Sequence, residues 1–203
     1  MIQYEQNVGL RFGTYDSAWY DRLVITKAGN VGIGTTTPGK LLELSDKKKL
    51  IKEILKHKFQ NLLIGTACNS LGDTINLIRY SLDQGFKGAF LIMNPSYYAP
   101  EDEGVFNFFS NIQKVVRCKI VLYNFSKLGA GYAFSPDIVK KLVNEFGTDA
   151  FVGMKDSTGS CWNNLKINNF SMLVGSEIDL LKNLELGGTG CISATTQICP
   201  SLA

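Results

Sequence analysis

The sequence predicts an α/β protein built on a parallel sheet, preceded by a short β-hairpin segment. Three observations carry that class. From about residue 40 onward, short apolar runs alternate with amphipathic stretches of helical period. Those runs are apolar at every position instead of every second one, so both faces of the sheet must be covered, which is the habit of parallel sheets flanked by helices. Before Pro38 the pattern is different, with short alternating runs punctuated by glycine.

The elements follow in order. Runs at 9–13, 21–26 and 31–34, the last two separated by Ala28-Gly29-Asn30, read as hairpin material. Ser45 can cap a helix with Leu50, Ile51, Ile54 and Leu55 on one face, leaving Lys47, Lys48 and Lys49 on a solvated one. A strand at 62–66 precedes a helix at 71–84 that stops at Gly85, and a strand at 88–93 follows. Pro100 opens an acidic first turn, Glu101 to Glu103, ahead of Val105, Phe106, Phe108 and Phe109; carboxylates there complement the helix dipole. A strand at 119–123, a helix capped by Ser135-Pro136 and ending at Gly147, and strands at 151–154 and 172–174 come next. A helix at 177–186 and a strand at 191–194 complete the alternation. A closed barrel and a doubly wound sheet both satisfy this alternation. Tyr123, Lys155, Ser176 and Thr195 fall at or just past the carboxyl ends of strands, where both architectures gather functional groups.

Composition narrows the chemistry. With 45% hydrophobic and 19% charged residues in 203, the chain can build a core. A net charge of +3 with scattered basic residues offers nothing to nucleic acid. No apolar run is long enough to span a membrane and the first residues lack the order of a signal peptide, so a cytoplasmic location is expected. The five cysteines, Cys68, Cys118, Cys161, Cys191 and Cys199, are odd in number and never in a Cys-x-x-Cys pattern, so they read as reduced and mostly buried. His57, the only histidine, falls late in a lysine-rich helix and is expected at the surface. A single imidazole argues against a catalytic zinc site and against a Ser-His-Asp triad, so no metal is expected.

Phe151-Val-Gly-Met-Lys155-Asp156 places an amine at the end of an apolar strand. Desolvation disfavours an ammonium, so more of the lysine is neutral and nucleophilic, as imine formation with a ketone requires. A lysine paired with Asp156 or Glu177 is the alternative at this position. Tyr123 ends a neighbouring run and could bring a phenol to the same pocket for proton transfer, or be a core tyrosine.

Taken together, Leu122-Tyr123-Asn124, Phe134-Ser135-Pro136, Val152-Gly-Met-Lys155-Asp-Ser-Thr-Gly159, Val174-Gly-Ser-Glu177 and Leu186-Gly-Gly-Thr-Gly-Cys-Ile-Ser193 resemble the dihydrodipicolinate synthase and N-acetylneuraminate lyase family. The likeness runs from about residue 40 to the end and includes Gly65-Thr-Ala-Cys-Asn69 and Asn94-Pro-Ser-Tyr-Tyr98. It implies an incomplete (β/α)8 TIM barrel and a Schiff-base, class I aldolase or lyase acting on pyruvate or another 2-keto acid. It makes Lys155 the imine-forming lysine, Tyr123 the proton-transferring phenol and Tyr97 the second tyrosine of the relay, with Tyr98 the alternative at that spacing. Thr35 would complete the relay, Thr36 would bind the pyruvate carboxylate and Ile192 would contact pyruvate through its backbone. No cofactor is implied, because the protonated imine is itself the electron sink, and the family resemblance suggests a homotetramer.

The match departs at Thr37-Pro38, where the family has Gly-Glu. The stretch 22–38 is similar instead to a repeat of phage tail-fibre and adhesin-like proteins, which form intertwined β-structure. The expected division is therefore a tail-fibre-like β segment at 1–38, which could supply a barrel strand, and a truncated barrel at 39–203. On this reading the first barrel strand is missing or replaced, and the closing helices after the eighth strand are lacking. The family's arginine after the tyrosine-asparagine pair has no counterpart in 126–131, where only Lys127 is basic, which argues against the dihydrodipicolinate synthase substrate itself. The alternative function is a structural fibre or adhesin-type module fused to an inactive aldolase fragment.

Overall fold

The computed structural model describes residues 2–5, 9–16, 18–26, 31–33, 44–57, 59, 61–97 and 99–193, with side chains described from residue 47 onward. The described residues fall into two units, dividing between His57 and Lys58.

The first unit contains an antiparallel meander of β1 (Ile2–Glu5), β2 (Gly9–Asp16), β3 (Ala18–Thr26) and β4 (Val31–Ile33), in that order across the sheet. The hairpins expected from the glycine punctuation are these strands. A register shift at Phe12/Gly13 marks a bulge in the β2–β3 pair. Helix α1 (Leu44–Ile54) begins one residue ahead of Ser45. Ile51 is buried, but Leu50 is 60% exposed, and of the three lysines only Lys49 is fully exposed. The apolar stripe is therefore narrower than the sequence suggests. His57 is exposed, as expected.

The second unit holds six parallel strands: β5 (Leu63–Gly65), β6 (Ala89–Met93), β7 (Lys119–Asn124), β8 (Phe151–Asp156), β9 (Ser171–Val174) and β10 (Gly190–Cys191). Their spatial order is their sequence order, β10-β9-β8-β7-β6-β5. A doubly wound sheet reverses its order at a switch point, and this one does not. Strands added successively in one direction are how a (β/α)8 barrel is built, and six such strands lie among the described residues. The choice that periodicity left open is settled by topology: the fold is an incomplete TIM barrel.

Three helices connect the strands in the expected places. Helix α2 (Leu71–Asp83) is capped by Ser70, whose hydroxyl accepts from the Asp73 N–H. Helix α3 (Asp102–Val116) starts two residues after Pro100, with Glu101 as its first flanking residue and Asp102 and Glu103 in its first turn. Helix α4 (Pro136–Phe146) has Ser135 accepting from the Ile138 N–H and ends at Gly147, whose φ of 84° only glycine adopts cheaply. The helix expected over 177–186 is split. A 3-10 turn, Glu177–Asp179, capped by Ser176, leads into the short α5 (Leu180–Glu185). Its apolar residues Ile178 and Leu181 are 88% and 70% exposed, so the stripe that predicted a longer helix has nothing to pack on among the described residues.

Alternation along the strands gives the sheet two unlike faces. Phe90, Ile92, Ile120, Leu122, Met154 and Val174 are fully buried under the helices, where Phe109 of α3 packs edge-on to Phe151 of β8 with ring centroids 6.2 Å apart. Tyr123, Lys155, Leu91 and Leu173 lie on the other, half-buried face, which would be the barrel interior. No helix among the described residues is long and apolar enough to cross a membrane.

Candidate active site

Backbone register is what brings the two predicted residues together. In the β7–β8 pair, Ile120 lies opposite Phe151 but Val121 lies opposite Gly153, so β8 carries one extra residue, Val152. Beyond that irregularity Tyr123 pairs with Lys155 and Asn124 with Asp156. Uninterrupted pairing from Phe151 would have put Met154 beside Tyr123 and turned the lysine off that level, since a one-residue slip exchanges faces. Gly153 sits at the shift because a Cβ there would lie 2.5 Å from the Ser171 carbonyl oxygen of β9.

The amine lies against the phenol. Lys155 Nζ stands 4.4 Å from the centroid of the Tyr123 ring, which itself stacks on Phe125 with centroids 5.8 Å apart. Both groups open on a cavity of about 530 Å³ at the carboxyl ends of the strands, shared with Phe125, Ser157, Thr158, Trp162, Gly175 and Asp179. Lys182 Nζ lies 5.8 Å from the Trp162 ring at its rim. Burial pushes the Lys155 pKa below its ordinary value, partly opposed by the nearby Cys191 thiol. Burial likewise raises the Tyr123 pKa, partly offset by a hydrogen bond with the Ser157 hydroxyl. Both shifts run toward the uncharged form of each group.

Neither ion-pair alternative is present. Asp156 borders the cavity but is 1% exposed, and its carboxylate is taken up by the loop that follows. Its Oδ1 accepts from Asn124 Nδ2 at 3.0 Å, the Thr158 N–H and hydroxyl at 2.8 Å each, and the Gly159 N–H at 3.3 Å. Its Oδ2 accepts from the Cys161 and Trp162 N–H groups at 2.8 and 3.0 Å. Six donors exhaust the lone-pair capacity of a carboxylate and offset the several kcal/mol, roughly, that its desolvation costs. Glu177 accepts a short hydrogen bond from the Ser193 hydroxyl. Among the described residues no carboxylate forms a salt bridge with Lys155.

The other predicted residues fare differently. Tyr97 lies in the loop after β6, 76% exposed, and is not among the residues lining the cavity. Ile192 follows β10 and its N–H donates to the Val174 carbonyl at 2.9 Å, so a backbone contact with a ligand falls to its own carbonyl. Ser176 lines the cavity but also caps the 3-10 turn. Thr35, Thr36, Tyr98 and Thr195 lie outside the described residues. Cys118, Cys161 and Cys191 are in no disulfide, with burial pushing Cys118 up to about 12 and Cys161 to about 11, and the Cys68 thiol donates to the Thr66 carbonyl at 3.1 Å; Cys199 lies outside the described residues. No group of three or more metal-ligating side chains occurs among the described residues.

Sequence reasoning missed Ser157 as the partner of the phenol, Cys191 as a neighbour of the amine, and the polar cluster of Asn124, Asp156, Thr158 and Ser160. The string Asp156-Ser-Thr-Gly-Ser160 was a signal, since such residues bond neighbouring backbone and shape tight loops.

Comparison with known proteins agrees with this geometry. The model of the dihydrodipicolinate synthetase family matches residues 22–203. A 4-hydroxy-tetrahydrodipicolinate synthase of Methanothrix thermoacetophila is 30% identical, the match covering 87% of this chain and 61% of that protein. Among solved structures, the prophage protein YagE of Escherichia coli K12, in complex with pyruvate, superposes with a TM-score of 0.71 at 26% identity, covering 78% of this chain and 55% of its own. The chloride-inhibited dihydrodipicolinate synthase of Acinetobacter baumannii, complexed with pyruvate, gives 0.70 at 28% identity, with the same two shares. The chain thus spans about six tenths of the curated relatives' length. Nearly nine tenths of the chain falls within the family model, and the lysine and phenol sit together at the carboxyl ends of its parallel strands: the chain belongs to the dihydrodipicolinate synthetase family.

Proposed function

We propose that this chain carries the imine-forming half of a class I aldolase or lyase acting on pyruvate or a related 2-keto acid. The observation that supports this best is the half-buried amine of Lys155, without a carboxylate partner among the described residues, against the ring of Tyr123. The relatives solved with pyruvate bear on the same reading. In the reaction, neutral Lys155 Nζ adds to the C2 carbonyl carbon and the oxygen takes up a proton. Loss of water from the resulting carbinolamine leaves the imine. Tyr123, its phenol held by Ser157, delivers and recovers the protons. The protonated imine then withdraws the electron pair when a carbon-carbon bond to an aldehyde partner breaks, and the enamine supplies it when that bond forms. Tyr97, Thr35, Thr36 and the Ile192 backbone complete the relay and hold the carboxylate in this reading, in a homotetramer in the cytoplasm.

Incubating the protein with pyruvate and borohydride, followed by peptide mass spectrometry, tests the reading. The expected result is a reduced pyruvate adduct on Lys155. Folded protein whose Lys155 stays unmodified overturns it.

Residues 1–38 are, in the same proposal, a separate β segment of fibre type. The antiparallel meander β1–β4, which among the described residues pairs only with itself, favours this reading, and the family model, which reaches back to residue 22, weighs against it for 22–38. Sedimentation of a chain ending at Pro38 checks it: a trimer supports a fibre-type module, and a monomer removes it.

A further inference from the structure

On the reading of Lys155 as the imine-forming amine, we propose that Asp156, together with Asn124, is a positioning residue that fixes the amine and its phenol partner through the loop behind them. Asp156 follows the lysine directly and, by strand alternation, faces the opposite side of the sheet. All its donors except Asn124 come from the single loop 157–162. That loop lines the cavity with Ser157, Thr158 and Trp162 and supplies the hydroxyl bonded to Tyr123. Asn124 ends β7, one residue after the tyrosine. Its amide nitrogen lies 3.0, 3.0 and 2.7 Å from oxygens of Asp156, Thr158 and Ser160, which share its two N–H donors, and its carbonyl accepts from the Phe134 N–H at 3.1 Å. Ser160 closes the ring by donating to the Phe134 carbonyl at 2.9 Å. The residues after Lys155 and after Tyr123 are thereby tied to one buried carboxylate. Gly175 permits the closeness, since a Cβ there would lie 1.9 Å from the Ser157 hydroxyl oxygen.

A carboxylate that merely stabilised the loop would affect melting and leave the amine's titration alone. A positioning carboxylate sets how much water reaches Lys155. The groups that face the amine are Tyr123 from β7, Cys191 from β10 and, across the cavity, Asp179 from the turn ahead of α5. Burial is the largest influence on the amine and the Asp156 charge is not among its causes. Loosening the loop therefore moves the amine toward its ordinary value, 10.5, and removing the Asp156 charge does little by itself.

The test is the pH dependence of borohydride trapping with pyruvate on the full chain, for the wild type, Asp156→Asn and Ser160→Ala, with thermal melts alongside. The expected midpoint for Asp156→Asn rises by about one pH unit, with trapping at pH 7 slowed about tenfold. Ser160→Ala, which changes no charge, shifts the same way by less. Should Asp156→Asn not fold, Ser160→Ala alone decides. Midpoints within about 0.2 unit of the wild type, whatever the melts show, overturn the positioning role while leaving the imine chemistry standing. Absence of a wild-type adduct instead overturns the assignment of Lys155, and the inference with it.

Discussion

Strands β7 and β8 open on a cavity at each end, and the two ends use their polar groups differently. At the carboxyl end, Tyr123 and Lys155 face a cavity of about 530 Å³ and form no ion pair among the described residues, while Asp156 beside them binds the loop. At the amino end, a cavity of about 580 Å³ is lined by exposed charges of both signs, Lys114, Arg117, Lys119 and Glu145. The buried polar group there is Gln113 of α3. Its amide donates to the Cys118 carbonyl at 2.7 Å and accepts from the Cys118 N–H at 3.2 Å, closing the turn into β7. One end spends its buried polar chemistry on backbone, and the other uses it on the loop beside Lys155 and Tyr123. That is the division of labour expected of a barrel, with stability at one rim and chemistry at the other.

Variants at the two ends break or sharpen this contrast. Lys155→Ala should abolish pyruvate trapping outright, and a surviving adduct on another lysine, seen by peptide mapping, would put the chemistry elsewhere. Tyr123→Phe keeps the ring against the amine but loses the proton, so the single-turnover imine rate should drop about 100-fold to 1,000-fold. A drop under about threefold would make the phenol a packing residue. Gly153→Ala drives a methyl into the β9 backbone and should cost about 1–3 kcal/mol in denaturant melts while also slowing trapping, because the register that sets Lys155 opposite Tyr123 passes through that residue.

Gln113→Ala is the counterpart at the amino end. Leaving Cys118 without its amide partner should cost about 1–3 kcal/mol with no change in trapping per folded molecule. A matching loss of trapping would erase the contrast. The smallest effect concerns pH. Lys155 titrates below 10.5 and Tyr123 above 10.0, so trapping should rise as the amine deprotonates and fall only where the phenol ionises. Cys191 holds the amine's value up, so Cys191→Ser should move the rising limb down by a few tenths of a pH unit. An upward move would place the thiol's influence elsewhere.

Much of this was readable in one dimension. Apolar runs alternating with amphipathic stretches, and caps such as Ser135-Pro136 and Gly147, are local signals, so the elements lie where periodicity put them. The exceptions are 177–186, which is not one helix, the last strand, expected at 191–194 and observed at Gly190–Cys191, and Ile2–Glu5, a strand the sequence did not single out. A lone lysine or tyrosine at a strand end is also a local signal, which is why Lys155 and Tyr123 were found. Local signals could not say whether Lys155 was paired with a neighbouring carboxylate. Asp156 is adjacent in sequence, yet alternation carries it to the other face, where Asn124, 32 residues away, and the following loop engage it.

Sequence by itself determined the class of the protein, most of its strands and helices, and the placement of Lys155 and Tyr123 at strand ends, because burial patterns and end-of-strand polarity are properties of neighbours in the chain. Tertiary structure alone decided that the sheet winds in one direction, that Val152 is the extra residue bringing the amine level with the phenol, and that the buried carboxylate faces away from the amine. The winding and the register depend on hydrogen bonds between separate segments of the chain, and no periodicity within a single segment records which partner it will meet; the carboxylate's place depends on its own loop and on Asn124, 32 residues away.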